Sequence, residues 1–290
     1  MPEVAGRPLP LSTALLASLA MLAFAGNSVL CRLALAETQI DAASFTVLRI
    51  ISGALLLWAL LARRKRSRAK AGNWAGALAL TVYAAAFSFA YMQLDTGVGA
   101  LLLFGAVQLS MLLFGLLRGE RLGAAASAGL ILAMVGVVAL LLPGSSAPPL
   151  ISSLVMLLSG LAWGAYSLLG RSTSDPLAST ADNFLRSIPL VLFAALPFLD
   201  QVHWDTTGAL LAVLSGAVTS GLGYAIWYSA LRGLGSIQAA SIQLSVPILA
   251  AAAGMLLFSE PLTPRVLIAA AAVLGGLTLV LKARNLKSRA

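Results

Sequence analysis

Apolar runs of about twenty residues recur along the whole chain, separated by short stretches rich in turn-forming residues. A run of that length crosses a hydrocarbon core of about 30 Å as a helix. The pattern predicts ten membrane-spanning helices, at about 11–35, 43–62, 73–92, 95–117, 123–142, 150–170, 181–199, 207–230, 234–257 and 264–282. The clearest interruption is Pro143-Gly144-Ser145-Ser146-Ala147-Pro148-Pro149. It divides the spans into a first five-helix repeat in residues 1–146 and a second in 147–290, within one integral membrane unit. The first run ends on Ala34-Leu35-Ala36, like a small-residue cleavage site, but its apolar part is too long and Arg32 lies just before it. It is read as a retained helix.

Two tetrapeptides carry the internal repeat: Gly119-Glu120-Arg121-Leu122, and Ser259-Glu260-Pro261-Leu262 at an offset of 140 residues. Each sits between a pair of long apolar segments, and acidic residues are scarce here, so the paired glutamates are informative. Phe24, Ser28 and Arg32 match Trp163, Ser167 and Arg171 at an offset of 139, and Arg49 matches Arg186 at 137. Five spans is an odd number, so the second half enters the membrane from the opposite side. Inverted repeats of this kind build secondary transporters, with substrate held near the midplane between the halves.

Composition narrows the class. The chain has 290 residues, 60% of them hydrophobic and only 10% charged, where soluble proteins carry about 25% charged residues. Mean hydropathy is +0.95. The net charge of +9 lies at helix ends instead of on a patch, which argues against a nucleic-acid partner. The single cysteine, Cys31, forms no internal disulfide, and the single histidine, His203, builds no histidine metal site. No lysine follows glycine in a phosphate-binding Gly-Lys-Ser/Thr order, so neither ATP nor any other cofactor is expected. Sixteen of the nineteen Lys and Arg residues fall on one side, led by Arg63-Arg64-Lys65-Arg66, leaving Arg32, Arg49 and Arg265 towards the other. The positive-inside rule then predicts a multi-pass protein of a bacterial-type inner membrane with both termini cytoplasmic. The expected partners are the lipid bilayer and a small-molecule substrate; the oligomeric state is open.

Several motifs, in this order and spacing, resemble the ten-helix EamA-type transporters of the drug/metabolite transporter superfamily. They are Ser44-Phe45-Thr46-Val47-Leu48-Arg49, Gly119-Glu120-Arg121-Leu122 leading to Gly129 and Gly136, Leu161-Ala162-Trp163-Gly164-Ala165-Tyr166, Pro247, and Glu260 with Gly275-Gly276. The resemblance covers nearly the whole chain. It implies two inverted five-helix repeats and export of small metabolites, including amino acids, with one branch exporting aromatic ones. The chain departs from the pattern at Val107, where the first half lacks a counterpart of Pro247, and at Ser259-Glu260-Pro261, where Gly-Glu-Arg is usual.

Polar and bulky aromatic residues at mid-depth are the candidate substrate contacts, because such side chains in a membrane usually face protein or an aqueous cavity. Tyr83, Phe87 and Tyr91 recur at spacing four with Ser88 beside them; Trp163 and Tyr166 lie on the sixth span, and Tyr224, Trp227 and Tyr228 on the eighth. Trp58, Trp74 and Trp204, near span ends, read as an interfacial belt. On the ninth span Gln238, Ser241 and Ser245 share a face, and Pro247 is expected to kink the helix and free the carbonyl of Gln243. Asn27, Ser28, Gln108 and Ser110 serve equally as cavity groups or as helix–helix hydrogen bonds. Glu120 and Glu260 are read as structural hinges that cap the helices following them, and Arg49 and Arg186 as matched positions of the repeat, with Arg32 and Arg49 close enough to the external helix ends to snorkel.

No acidic residue falls at mid-membrane, so the sequence offers no proton-coupling site. The reading is an exporter of small organic metabolites, aromatic amino acids among them, working by alternating access. A passive channel has no ring of charges to support it, and an intramembrane enzyme has no His-Glu-x-x-His or paired acids.

Overall fold

The computed structural model describes residues 11–63, 72–119, 122–170, 173–234 and 236–289. Ten helices in it are long and apolar enough to cross a membrane. They are α1 (Leu11–Glu37), α2 (Ala42–Ala62), α3 (Trp74–Tyr91), α4 (Thr96–Leu117), α5 (Ala124–Leu141), α6 (Leu150–Gly170), α7 (Pro176–Ala195), α8 (Thr206–Leu231), α9 (Ser236–Phe258) and α10 (Pro264–Arg289). Trp58, Trp74 and Trp204 are exposed near helix ends, where an aromatic belt meets the membrane–water boundary.

Much of the chain's small stock of acids starts helices. The side chains of Asp41, Asp175 and Asp205 accept from the backbone N–H groups of Ser44, Ala178 and Gly208, and Asn73 accepts from Gly76. Each bond satisfies one of the donors a helix start leaves free. Two of these caps also clasp their connections together, since Asp41 accepts from His203 N–H and Asp205 from Gln39 N–H. Asp205 is held below the usual carboxylate range by the amides of Gly208 and Gln39. Burial pushes Asp41 upward, but the hydrogen bonds from Ser44 and the His203 amide outweigh it and leave it lowered.

The packing has the symmetry an inverted repeat requires. Helices α2, α4 and α5 pack against their own counterparts α7, α9 and α10. The α1–α8 contact exchanges into α6–α3, and α4–α6 into α9–α1, so the largest contacts are preserved when each helix is replaced by its counterpart. The backbone repeats as well. Among the described residues, the two positive φ angles belong to Gly119, at 88°, and Ser259, at 53°, which follow α4 and α9 and are matched in sequence. Serine is a poor occupant of that region, costing about 1 kcal/mol relative to glycine. Ser259→Gly is therefore expected to stabilise the protein by about 1 kcal/mol, measured as a rise in the thermal unfolding midpoint in detergent.

The two halves are not equally regular. The α4 helix is continuous and largely buried; α9 is much less buried, and it breaks at Leu244 between Ser236–Gln243 and Ser245–Phe258. The break lies one turn before Pro247, where the proline's missing N–H leaves the Gln243 carbonyl without its helical donor. That proline sits in the first turn of the second piece, where a missing N–H costs little, and Ser245 Oγ donates to the Ile242 carbonyl across the break. Likewise α3 is an unbroken α-helix, whereas α8 widens to a π-helix over Ser215–Leu222. Extended π segments are rare and gather at functional sites.

Candidate functional site

Tyr83, Trp163 and Tyr224 come from three helices and meet ring to ring. Trp163 on α6 lies 4.7 Å from Tyr83 on α3, 5.1 Å from Tyr224 on α8, and 5.4 Å from Tyr166 one turn further along α6. Such tilted pairs are favourable beyond the area they bury. The rings form a seam between two spaces. On one side is a cavity of about 430 Å3 between α4, α6, α8 and α9, walled by Val107, Gln108, Tyr166, Trp227, Tyr228 and Gln243 together with Trp163 and Tyr224. Its outer end is bordered by Asp175 and the exposed Ser229 and Arg232. On the other side is a chamber of about 20 Å3 bounded by Phe24, Asn27, Ser28, Tyr83, Phe87, Thr219, Ser220 and the same Trp163 and Tyr224. The first space takes a small organic molecule; the second holds a water or a single polar group.

Other candidate residues lie elsewhere. Tyr91 and Ser88 continue the α3 stripe but border neither space: the Tyr91 hydroxyl donates to the Thr96 carbonyl and Ser88 Oγ to the Ala84 carbonyl. Asn27 does both jobs expected of it. It faces the chamber, and its Oδ1 accepts from Ser215 Oγ at 2.7 Å and Thr219 Oγ1 at 3.1 Å. Of the polar candidates on α9, Gln243 reaches the cavity wall beside Ala239 and Ala240; Gln238, Ser241 and Ser245 do not border it, and Ser241 is exposed. Thr219 and Ser220 were not among the candidate contacts, although hydroxyls in so apolar a span are themselves a signal.

Arg49 overturns the expectation of a snorkelling residue. It is 1% exposed and lies about 10 Å along α2 from the helix start. Its Nη2 donates to the Tyr83 hydroxyl at 2.9 Å and its Nε to Ser220 Oγ at 3.4 Å. The guanidinium lies over the rings of Phe87 and Tyr83, at 4.9 and 5.2 Å from their centroids. Snorkelling is blocked because α2 and α8 cross backbone against backbone beside it, with Gly53 and Gly216 at the contact. Ring faces return about 0.5–2 kcal/mol each to a desolvated cation, against several kcal/mol for taking the ion out of water.

The end of the bundle opposite the cavity's outer border is tied shut by Glu260. Its carboxylate caps α4 instead of the helix that follows it, accepting from Thr96 N–H at 2.7 Å and Thr96 Oγ1 at 3.1 Å. Asp95, the residue placed to make that cap, makes no side-chain bond to it. Arg32 Nε donates to Glu260 at 3.3 Å, its Nη1 donates to the Tyr91 carbonyl at 3.3 Å, and Asp95 lies 3.9 Å from the guanidinium. One cluster thus joins the ends of α1, α3, α4 and α9. Burial pushes the Glu260 carboxyl above its ordinary value; the Thr96 bonds and Arg32 oppose this, and Asp95 adds to it. Glu120, the sequence counterpart, lies outside the described residues. Arg186, the counterpart of Arg49, is half-exposed, paired with Asp182 at 3.0 Å and set over Trp74.

Comparison with known proteins fits this architecture. The model of the EamA-like transporter family matches residues 150–282, the second five-helix half. An uncharacterized transporter of Archaeoglobus fulgidus is 28% identical over 257 residues, covering 82% of this chain and 86% of its own. An uncharacterized protein of Pseudomonas aeruginosa is 62% identical to this chain over 273 residues, 94% of this chain and 95% of its own. A crystal structure that is 20% identical superposes with a TM-score of 0.66 over 94% of this chain and 98% of that one, a likeness of fold. Ten helices long and apolar enough to cross a membrane, with a second half similar to EamA-like transporters, mark a multi-pass membrane protein.

Proposed function

We propose that this chain exports small organic metabolites, amino acids including aromatic ones, across the inner membrane by alternating access. The observation that carries the reading is the pairing of a tied end with an open one across an aromatic seam. The Glu260–Arg32–Thr96 cluster holds one end of the repeat interface shut, while the cavity reaches exposed residues at the other. With the positive-inside orientation, the cavity faces the cytoplasm and the tied end faces out. That is the loading state of an exporter. The asymmetry of α4 against α9, and of α3 against α8, supplies the exchange: residues 1–146 and 147–290 rock against each other, and the state in which they trade conformations opens the outer end.

The rings suit flat, partly apolar solutes, which stack or pack edge-on against Trp163 and Tyr224. Counterflow in proteoliposomes tests the mechanism. Labelled phenylalanine is expected to accumulate transiently against unlabelled phenylalanine and to saturate; flux linear in concentration and indifferent to solute on the far side would indicate a channel instead. Trp163→Ala and Tyr83→Ala are each expected to lower counterflow by at least about tenfold, the loss of one aromatic contact to substrate plus its geometry, with folded protein retained on size exclusion.

A further inference from the structure

We propose that Arg49 is a docking site for a carboxylate, so that the transported solute carries an anionic group into the inner chamber while its apolar part lies against Trp163 and Tyr224. This rests on the reading of the chain as a transporter of small solutes and names the chemistry those solutes share.

The charge on Arg49 is permanent and its burial is nearly complete. Its hydrogen-bond partners, Tyr83 and Ser220, are neutral. Nη1 has no partner at all although it is buried. Among the described residues no carboxylate pairs with it. A membrane protein rarely keeps an uncompensated ion at such a depth without using it.

The second half of the repeat shows what a structural arginine at this position looks like. Arg186 occupies the matching place on α7 and is neutralised by Asp182, four residues earlier on the same face. Four residues before Arg49 the chain has Phe45, fully buried and unable to pair. The fold thus has a ready means of supplying a counterion, and the first half omits it.

The surroundings indicate where the counterion comes from. Tyr83, Phe87 and Ser220, which touch the guanidinium, are also wall residues of the 20 Å3 chamber. The chamber is mostly apolar but carries polar groups from Asn27, Ser28 and Thr219, and is of a size for one small group. Trp163 and Tyr224 separate it from the 430 Å3 cavity. A solute with a carboxylate one or two bonds from a ring spans the seam, and the unpaired Nη1, together with Nη2 once it leaves the Tyr83 hydroxyl, meets the carboxylate as a fork.

The test uses three probes of one shape: phenylacetate, phenylacetamide and phenethylamine. Their binding to the purified full-length protein is read by tryptophan fluorescence, and their exchange by counterflow. Wild type is expected to prefer phenylacetate over phenylacetamide by at least about tenfold, the worth of one charge-assisted hydrogen bond. In Arg49→Gln that ratio falls to near one. Phe45→Asp gives α2 the internal counterion that α7 has, keeps the arginine, and is expected to abolish the same preference; it carries the test if Arg49→Gln does not fold. Equal affinity of wild type for the acid and the amide overturns the assignment while leaving transport intact. So does a preference that survives in both variants. If none of the probes binds or exchanges, and labelled phenylalanine shows no counterflow, the assignment and the proposed function fall together.

Discussion

Replacing Glu260 with alanine is expected to expose Cys31 to thiol reagents added from outside the cell. Cys31 is the chain's single cysteine, is fully buried, and precedes Arg32 directly on α1. In the tied conformation a membrane-impermeant maleimide has no path to it. Truncating Glu260 removes the cap on Thr96, strands the buried amide, and leaves Arg32 without its closest acid. Losing one member of a partly buried, hydrogen-bonded charge pair costs about 2–4 kcal/mol. At about 1.4 kcal/mol per decade, the ratio of tied to open protein falls about 30- to 1000-fold. Labelling in right-side-out vesicles should therefore go from undetectable to substantial, with counterflow impaired because one state is no longer held. Glu260→Gln keeps an acceptor for Thr96 but loses the charge, and should fall between the two. Protection of Cys31 unchanged in Glu260→Ala means that the cluster does not hold this end shut.

What the sequence made legible, and what it did not, divides along one physical line. Span number, span ends and the inverted repeat follow from local hydropathy and from matched motifs, and the repeat reaches down to the paired positive φ of Gly119 and Ser259. Tyr83, Trp163 and Tyr224 could be picked out because a large ring with a polar tip is unusual at mid-depth. Contacts between distant helices were not legible. Glu260 looked like the cap of its own following helix, since nothing local indicates a partner 164 residues away. Arg49 looked close enough to a helix end to snorkel, because its burial is decided by α8 crossing over it, 171 residues on at Ser220. Pro247 marked α9 as irregular, and the helix parts at Leu244, beside the Gln243 carbonyl that the proline leaves without its donor.

The largest loss from a single added methyl group is expected at Gly216. A Cβ there would meet the Arg49 carbonyl oxygen and Ser52 Oγ at less than van der Waals distance, with the Arg49 carbonyl carbon at 2.8 Å. The obstacle is backbone, which cannot rotate away, and Gly53 on the facing helix already lies against the Gly216 carbonyl and Phe184. Relief requires α8 to move off α2. That motion draws Ser220 from Arg49, already at 3.4 Å, and loosens the Ser215 and Thr219 bonds to Asn27. Overpacking of this kind costs about 3 kcal/mol, and it falls on the elements that build the inner chamber. Gly216→Ala should thus lower the thermal unfolding midpoint clearly and abolish counterflow in whatever protein folds. Gly275 provides the contrast, because nothing lies within 4 Å of a Cβ built there, although its neighbour Gly276 is pressed against Gly129. Gly275→Ala should be neutral, or stabilising by up to about 1 kcal/mol through helix propensity. If both alanine variants behave alike, the α2–α8 crossing is not the close contact that fixes Arg49 in place.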